Sequence, residues 1–191
     1  MTVLLIASMS GHVEVKAAFP QMFVYPPSQT VDAIREVFTA NVCIGDVFNL
    51  YAYEFKLYYN STVLNGTSAV SGPFLEESGQ APYFYVVAFS DHYNSTYGIV
   101  WIVSTLEENV QGIDGNGVLA IIKFNATALG NSTLSLSDLN LSDPNENSIP
   151  YVSFDGTVTV LPEYTATNAI LTLILIAMPI LFITRKMRKT P

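Results

Sequence analysis

The segment 50–60, LYAYEFKLYYN, constrains the fold of this chain more than any other stretch. One set of alternate positions is wholly aromatic or apolar: Tyr51, Tyr53, Phe55, Leu57 and Tyr59. The other set carries the only two charges of the segment, Glu54 and Lys56. Because successive side chains of a strand leave opposite faces, this alternation predicts a half-buried β-strand with its aromatic face in a core. In a helix the same residues would form no continuous apolar stripe.

About nine short strands, separated by turn signals and without a helical stretch, are expected across residues 19–161. The inward set of the strand before the organising segment is expected to be Phe38, Ala40, Val42 and Ile44. Gly45-Asp46 and the sequence DGNG at 114–117 have the composition of turns. Ser68–Leu75 is expected to be a weak strand, and Phe154–Leu161 the last one. The pattern is typical of an antiparallel β-sandwich or barrel.

The acidic balance of the chain argues against nucleic-acid binding. Half of the 191 residues are hydrophobic and 13% are charged, which suits a domain with a sizeable core. Four of the eight basic residues lie at 185–189, so residues 1–184 carry a net charge of −12. Such a surface repels phosphate backbones. The single cysteine, Cys43, permits no intrachain disulfide and lies in an apolar strand pattern, so we expect a buried thiol.

Both ends of the sequence predict a passage through a membrane. Residues 164–184 are uncharged and as a helix would extend about 30 Å, the thickness of a hydrocarbon core. The basic cluster RKMRK follows at once and predicts a cytoplasmic tail. Near the N-terminus an apolar run at 3–9 precedes Val15-Lys16-Ala17, which loosely resembles the cleavage site of a secretory signal. The alternative, that this region is a first strand, stays open.

These signals predict four parts and a single-pass protein of the cell membrane. We expect a signal-peptide remnant at 1–17, an extracellular domain at 18–162, a transmembrane helix at 163–184 and a basic cytoplasmic tail at 185–191. Six Asn-x-Ser/Thr sequons support the extracellular placement. The candidate glycosylation sites are Asn60, Asn65, Asn94, Asn131 and Asn140. The sixth sequon, at Asn125, lies inside a predicted strand and is the poorest acceptor.

The sequence contains no recognisable catalytic or cofactor-binding motif. His12 lies in the predicted signal and His92 in a turn, and neither is accompanied by a G-x-S-x-G elbow or a His/Cys cluster. We therefore expect neither an enzyme nor a cofactor. One polar loop is a weak candidate for Ca²⁺ through the oxygens of Asp143, Asn145, Glu146 and Asn147, with an ordinary polar turn as the alternative.

The chain has more aromatic residues in its central strands than one core can hold. These residues are Tyr58, Tyr83, Phe84, Tyr85, Tyr93, Tyr97 and Trp101. Outward aromatic residues on a flat sheet stack on sugars or anchor protein interfaces, and ordinary filling of the sandwich is the alternative. On the organising strand the outward residues Glu54, Lys56 and Tyr58 are the predicted partner face.

Three segments resemble motifs of the cohesin domain family. Residues 50–64, LYAYEFKLYYNSTVL, resemble the cohesin strand L-x-G-F-E-F-x-L-x-Y-D-x-x-x-L. Residues 115–124, GNGVLAIIKF, resemble the strand G-x-G-x-L-A-x-I-x-F. Residues 134–141, followed by 155–160, are similar to the closing pair of strands. The order and spacing of the motifs agree across nearly the whole predicted extracellular domain.

The resemblance implies a nine-stranded jelly-roll β-sandwich with a non-catalytic role. Cohesins bind dockerin modules, whose own loops hold the Ca²⁺, and their superfamily includes carbohydrate-binding modules. The likeness is to the single cohesin-like domains of archaeal surface proteins that end in a membrane helix and a basic tail.

Two functions of different class remain open. The first is a cell-surface module that attaches a dockerin-like or envelope protein. The second is a carbohydrate-binding or structural cell-envelope protein, S-layer-associated and linked to polysaccharide degradation, in which exposed tyrosine or tryptophan rings stack on glycan.

Overall fold

The structure is a computed structural model that describes residues 19–107 and 110–163, and these residues form a β-sandwich. Its strands are β1 (Gln21–Tyr25), β2 (Ser28–Val31), β3 (Val37–Leu50), β4 (Ala52–Asn60), β5 (Leu64–Ser71), β6 (Tyr83–Ser90), β7 (Tyr97–Thr105), β8 (Ile113–Ala126), β9 (Gly130–Ser142), β10 (Val152–Phe154) and β11 (Gly156–Val160). One turn of 3-10 helix, Leu75–Ser78, precedes β6. The predicted all-β sandwich is confirmed, with eleven strands within the described residues instead of nine.

Two packed sheets make up the sandwich. The five-stranded sheet has the order β10-β1-β3-β8-β5, and the six-stranded sheet has the order β2-β11-β9-β4-β7-β6. Most neighbours are antiparallel, but β10 pairs parallel to β1 and β11 pairs parallel to β2. The predicted last strand, Phe154–Leu161, is confirmed as β11 with shorter bounds; the chain changes sheets at Asp155, so that Phe154 belongs to β10 in the other layer.

The strand β4 lies inside the six-stranded sheet, between β7 and β9, as its alternation predicts. Tyr53, Phe55, Leu57 and Tyr59 are all 2% exposed or less. The Tyr53 hydroxyl donates to the Leu119 carbonyl of the facing sheet at 2.6 Å. The Tyr59 ring meets Phe124 of β8 edge-on, with 5.0 Å between centroids. Since each such side chain contributes about 1.5–3 kcal/mol on burial, this face is a major part of the core.

The turns predicted at Gly45-Asp46 and at 114–117 are both wrong, because the two segments belong to β3 and β8. β3 continues through Gly45 and Asp46, with register shifts against β8 and positive φ at Asp46 and Asn49. The sequence DGNG belongs to β8, and its side chains span the irregular region. Asn116 Oδ1 accepts the Asp46 N–H at 2.8 Å, and Asp114 Oδ1 accepts the Asn49 N–H at 2.7 Å. Turn-forming residues here stabilise bulges, because their side chains replace missing ladder hydrogen bonds.

Two other predictions about the core have mixed outcomes. The inward set of β3 is confirmed, because all four of its members are buried. Cys43 is buried as well, and burial raises the pKa of its thiol to about 11. The weak strand predicted at Ser68–Leu75 instead spans Leu64–Ser71. It begins earlier because the fully buried Leu64 already pairs with Ala126 of β8.

The buried hydrophobic side chains of the described residues, apart from Cys43 and Ile99, form one cluster drawn from both sheets. The predicted signal remnant, almost all of the predicted membrane helix, and the basic tail lie outside the described residues. Within residues 19–107 and 110–163, no helix is long and apolar enough to cross a bilayer.

Candidate functional site

The outer face of the six-stranded sheet brings the three predicted partner-face residues into one row. Glu54, Lys56 and Tyr58 leave β4 on the side opposite its buried aromatic residues. Lys56 lies directly opposite Trp101 of β7 and Ser137 of β9, so the row is in the interior of the sheet and not at its border.

Trp101 is held in place by two side chains of β4. Its indole Nε1 donates a hydrogen bond to Glu54 Oε1 at 2.7 Å. The Lys56 ammonium lies over the indole, with Nζ 4.6 Å from the ring centroid. A cation above the ring and a carboxylate on the indole nitrogen restrict the rotamers of Trp101, so that little conformational entropy is lost when a partner contacts it.

Lys56 is itself positioned by Asp138 of β9. The two side chains form a salt bridge of 2.8 Å, with the lysine side chain 23% exposed and the aspartate 60% exposed. The hydrogen bond to Asp138 is the main cause that raises the pKa of Lys56, so the ammonium remains charged. An exposed ion pair adds little stability, and its effect here is orientation.

Asp138 is a residue that sequence reasoning missed. It has a positive φ of 48° at the point where β9 shifts its register against β4. The only signal in the sequence was the break in the leucine alternation of residues 134–141, which indicated an irregularity but not its direction. We call Glu54, Lys56, Tyr58, Trp101 and Asp138 the outer patch.

Further tyrosine residues surround the outer patch. Tyr58 contacts Tyr93 with 5.5 Å between ring centroids, and burial, followed by the hydrogen bond to Tyr93, raises the pKa of Tyr58. On β6, Tyr83 and Tyr85 are each 53% exposed, and their rings lie within 16° of parallel. Phe84 packs against the core instead. The aromatic surplus therefore divides into a minority that fills the sandwich and a majority on the surface.

The weak Ca²⁺ candidate is a loop that Asp143 stabilises by itself. One carboxylate oxygen of Asp143 accepts the backbone N–H groups of Asn145 and Asn147 at 2.9 Å each, and the other accepts the Asn147 side-chain amide at 3.0 Å. These bonds, above all that from the Asn147 side chain, lower the pKa of Asp143. Glu146 has a positive φ and is exposed. Among the described residues, no group of three His, Cys, Asp or Glu is arranged to hold a metal.

The sequons differ in exposure. Asn94, Asn131 and Asn140 are exposed, whereas Asn60 and Asn65 are half-buried. Asn125 lies in β8 with its Oδ1 buried and unpartnered. Asn140 lies opposite Glu54 on β9, so a glycan there would border the outer patch. His92 is exposed in the turn between β6 and β7.

Comparison with known families gives one match. The family model described as "Cohesin domain" matches residues 27–160, which is more than half of the chain. A search of curated proteins finds no significant match.

Solved structures share the fold. A non-cellulosomal cohesin from the archaeon Archaeoglobus fulgidus is 19% identical, with a TM-score of 0.59 over 75% of this chain and 92% of that one. The third ScaC cohesin of Acetivibrio cellulolyticus, solved in complex with a ScaB dockerin, is 16% identical, with a TM-score of 0.61 over 75% and 99%. The seventh ScaB type I cohesin of Pseudobacteroides cellulosolvens is 18% identical, with a TM-score of 0.60 over 78% and 96%.

Proposed function

We propose a function from the premise that this chain belongs to the cohesin domain family: it is a binding module that attaches a dockerin-like or envelope protein through its outer patch. The cohesin family is a family of non-enzymatic binding modules, and one of the similar solved structures is a cohesin in complex with a dockerin.

The single observation that carries the proposal is the fixed position of Trp101. Tryptophan is among the residues enriched at the energetic anchors of protein interfaces, which are surrounded by contacts that exclude water. The contacts with Glu54 and Lys56 fix the orientation of the indole before a partner binds. The Tyr58 and Tyr93 rings, which contact each other, form the aromatic flank of the outer patch. A partner with an apolar side chain facing the indole would bury it without reorganising the sheet.

Charge favours a partner with basic groups. Two carboxylates, Glu54 and Asp138, accompany one ammonium in the outer patch, on a chain that is acidic throughout its predicted extracellular part. Complementary charges accelerate encounter more than they increase affinity, so we expect association to slow as ionic strength rises.

Attachment to a membrane is part of the proposal and is supported by the sequence alone. The uncharged residues 164–184 and the basic cluster after them predict an extracellular sandwich anchored close to the bilayer. Protease added to intact cells is expected to release the sandwich, and its protection from protease would argue for the opposite orientation.

The binding proposal is tested with residues 19–163 and a panel of dockerin modules. We expect Trp101→Ala to weaken binding by about thirtyfold, which corresponds to the roughly 2 kcal/mol of an interface anchor. The matched control is Tyr25→Ala, which removes a 56%-exposed ring from the five-stranded sheet and should leave binding unchanged. Binding that survives Trp101→Ala but is lost with Tyr25→Ala would refute the assignment of the face.

A carbohydrate ligand is the second candidate, favoured by the nearly parallel rings of Tyr83 and Tyr85, whose centroids are 6.3 Å apart. Exposed aromatic rings at such spacing suit stacking on sugars. The same variants are therefore applied to polysaccharide arrays together with Tyr83→Ala. Capture by glycan alone, abolished by Tyr83→Ala, would replace the protein-attachment proposal.

A further inference from the structure

The strand β6 forms one free edge of the six-stranded sheet. It is terminal in the strand order and pairs only with β7. Its sequence, YFYVVAFS, contains no charged residue and no proline across eight residues. A long apolar edge of this kind presents unpaired N–H and C=O groups, which are a template for another strand.

The other terminal strands of the two sheets have features that limit such pairing. β2 has four residues and β10 has three. On β5, the Gly66 N–H is bound by Asp91 Oδ1 at 2.8 Å. The strand β6 has one protective feature, a bulge between Val86 and Ala88. Short length, bound amides and bulges are the usual means of protecting edges, and β6 has neither the short length of β2 and β10 nor the bound Gly66 amide of β5.

The core is incompletely covered along β6. The inward residues Phe84, Val86 and Phe89 pack against the core yet stay partly exposed. On the neighbouring β7, by contrast, Val100 and Ile102 are fully buried. A strand added to the free side of β6 would remove these three apolar side chains from water, which favours association in proportion to the area buried.

The absence of charge on β6 makes a second copy of this chain a suitable partner for its free edge. Self-association of an acidic protein is opposed by repulsion wherever carboxylates meet. Pairing β6 with itself places no charged residue of either strand opposite another. Asp91, which follows β6, is already engaged by the Tyr59 hydroxyl and the Gly66 N–H.

We propose that two copies of this chain pair antiparallel through β6 and join two six-stranded sheets into one. Directly opposite residues of an antiparallel pair point to the same face, so the two-fold axis passes midway between one residue of β6 and the same residue of the partner. With the axis beside Tyr85, residues 83–87 of the two copies pair, and Pro82, which has no N–H to donate, stays outside the paired segment. Tyr85 then faces the partner's Tyr85, and Tyr83 faces the partner's Val87.

This symmetry has a consequence for binding. A two-fold axis between antiparallel strands of one sheet is perpendicular to that sheet, so both outer patches lie on the same side of the dimer. Two partner modules joined by a linker would then be bound with avidity. The dimer itself does not depend on the proposed function.

The first test is disulfide crosslinking of the full chain carrying Tyr85→Cys. Opposite Cα atoms lie about 4.5–5.5 Å apart, within the range that a disulfide spans. Cys43, the single native cysteine, is buried and serves as an inert background. The control is Tyr97→Cys, a 49%-exposed position on β7 away from the edge. We expect a covalent dimer for Tyr85→Cys alone; equal crosslinking of both variants would overturn the proposal.

The second test is sedimentation of residues 19–163, which contain the whole core cluster drawn from both sheets. Tyr85→Lys sets two ammonium groups opposite each other at the axis, so we expect the dimer to weaken by at least about tenfold, with Tyr97→Lys unchanged. An unmodified sandwich that stays monomeric at about 10⁻⁴ M would refute the proposal, since that limit corresponds to less than about 5.5 kcal/mol of association. So would a dimer insensitive to Tyr85→Lys.

Discussion

The hydroxyl of Tyr59 is the best single place to test the energetics of this sandwich. Tyr59 is fully buried, and its hydroxyl donates a hydrogen bond to Asp91 Oδ1, in the turn that follows β6 of the same sheet. The same oxygen accepts the Gly66 N–H of β5 at 2.8 Å. Burial, followed by the bond to Asp91, raises the pKa of Tyr59, so the phenol remains a neutral donor at all physiological pH values.

Tyr59→Phe removes one hydrogen bond to a charged acceptor without changing the packing of the ring on Phe124. A hydrogen bond of this kind contributes about 1.5–3 kcal/mol, so we expect unfolding in urea to lose that much free energy. For a domain of this size the loss corresponds to a fall in Tm of about 5–9 °C.

Asp91→Ala leaves two buried donors, the Tyr59 hydroxyl and the Gly66 N–H, without their acceptor. Each unsatisfied donor costs about 1–3 kcal/mol, so we expect a total loss of about 2–6 kcal/mol. The double variant should be no less stable than Asp91→Ala alone, because Tyr59→Phe removes the hydroxyl that would otherwise lack an acceptor. The control is Tyr97→Phe, which removes a hydroxyl from a half-exposed ring and should cost less than about 0.5 kcal/mol. A Tyr59→Phe loss no larger than this control would refute the reasoning.

Three further outcomes are expected. Gly98→Ala should lower the free energy of unfolding by about 1–3 kcal/mol in urea titration, because its Cβ would lie 2.3 Å from Tyr59 Cζ. In the folded protein the pKa of Asp143 is lowered, so its carboxylate stabilises the fold at pH values above the ordinary value of 3.8, and this stabilisation is lost as the pH falls below that value. Asp143→Asn should therefore make the free energy of unfolding, measured as a function of pH, fall less steeply in acid. In a glycosylating host, mass spectrometry should find sugar at the exposed sequons Asn94, Asn131 and Asn140. Sugar at Asn125, whose Oδ1 is buried, would contradict the last expectation.

The sequence alone determined which face of each strong strand is buried. Tyr53 and Phe55 could be assigned to the core, and Glu54 and Lys56 to the surface, because the pleat alternates with a fixed period of two. That period is a local property of the strand, so the buried face can be assigned from the sequence without knowing which strands are its neighbours. The three cohesin-like motifs, in the order and spacing of that family, also predicted the β-sandwich fold.

Only the tertiary structure decided which strands are neighbours and what their side chains contact. Asp138 reaches Lys56 through a bulge, Asp91 accepts the Tyr59 hydroxyl from another strand, and Asn116 binds the amide of Asp46 from 70 positions away. In its local sequence each of these Asp and Asn residues is typical of a turn, and nothing there indicates its distant partner. The partner of a polar side chain depends on register and on bulges, which are set by the packing of distant segments and leave no periodic trace in the sequence.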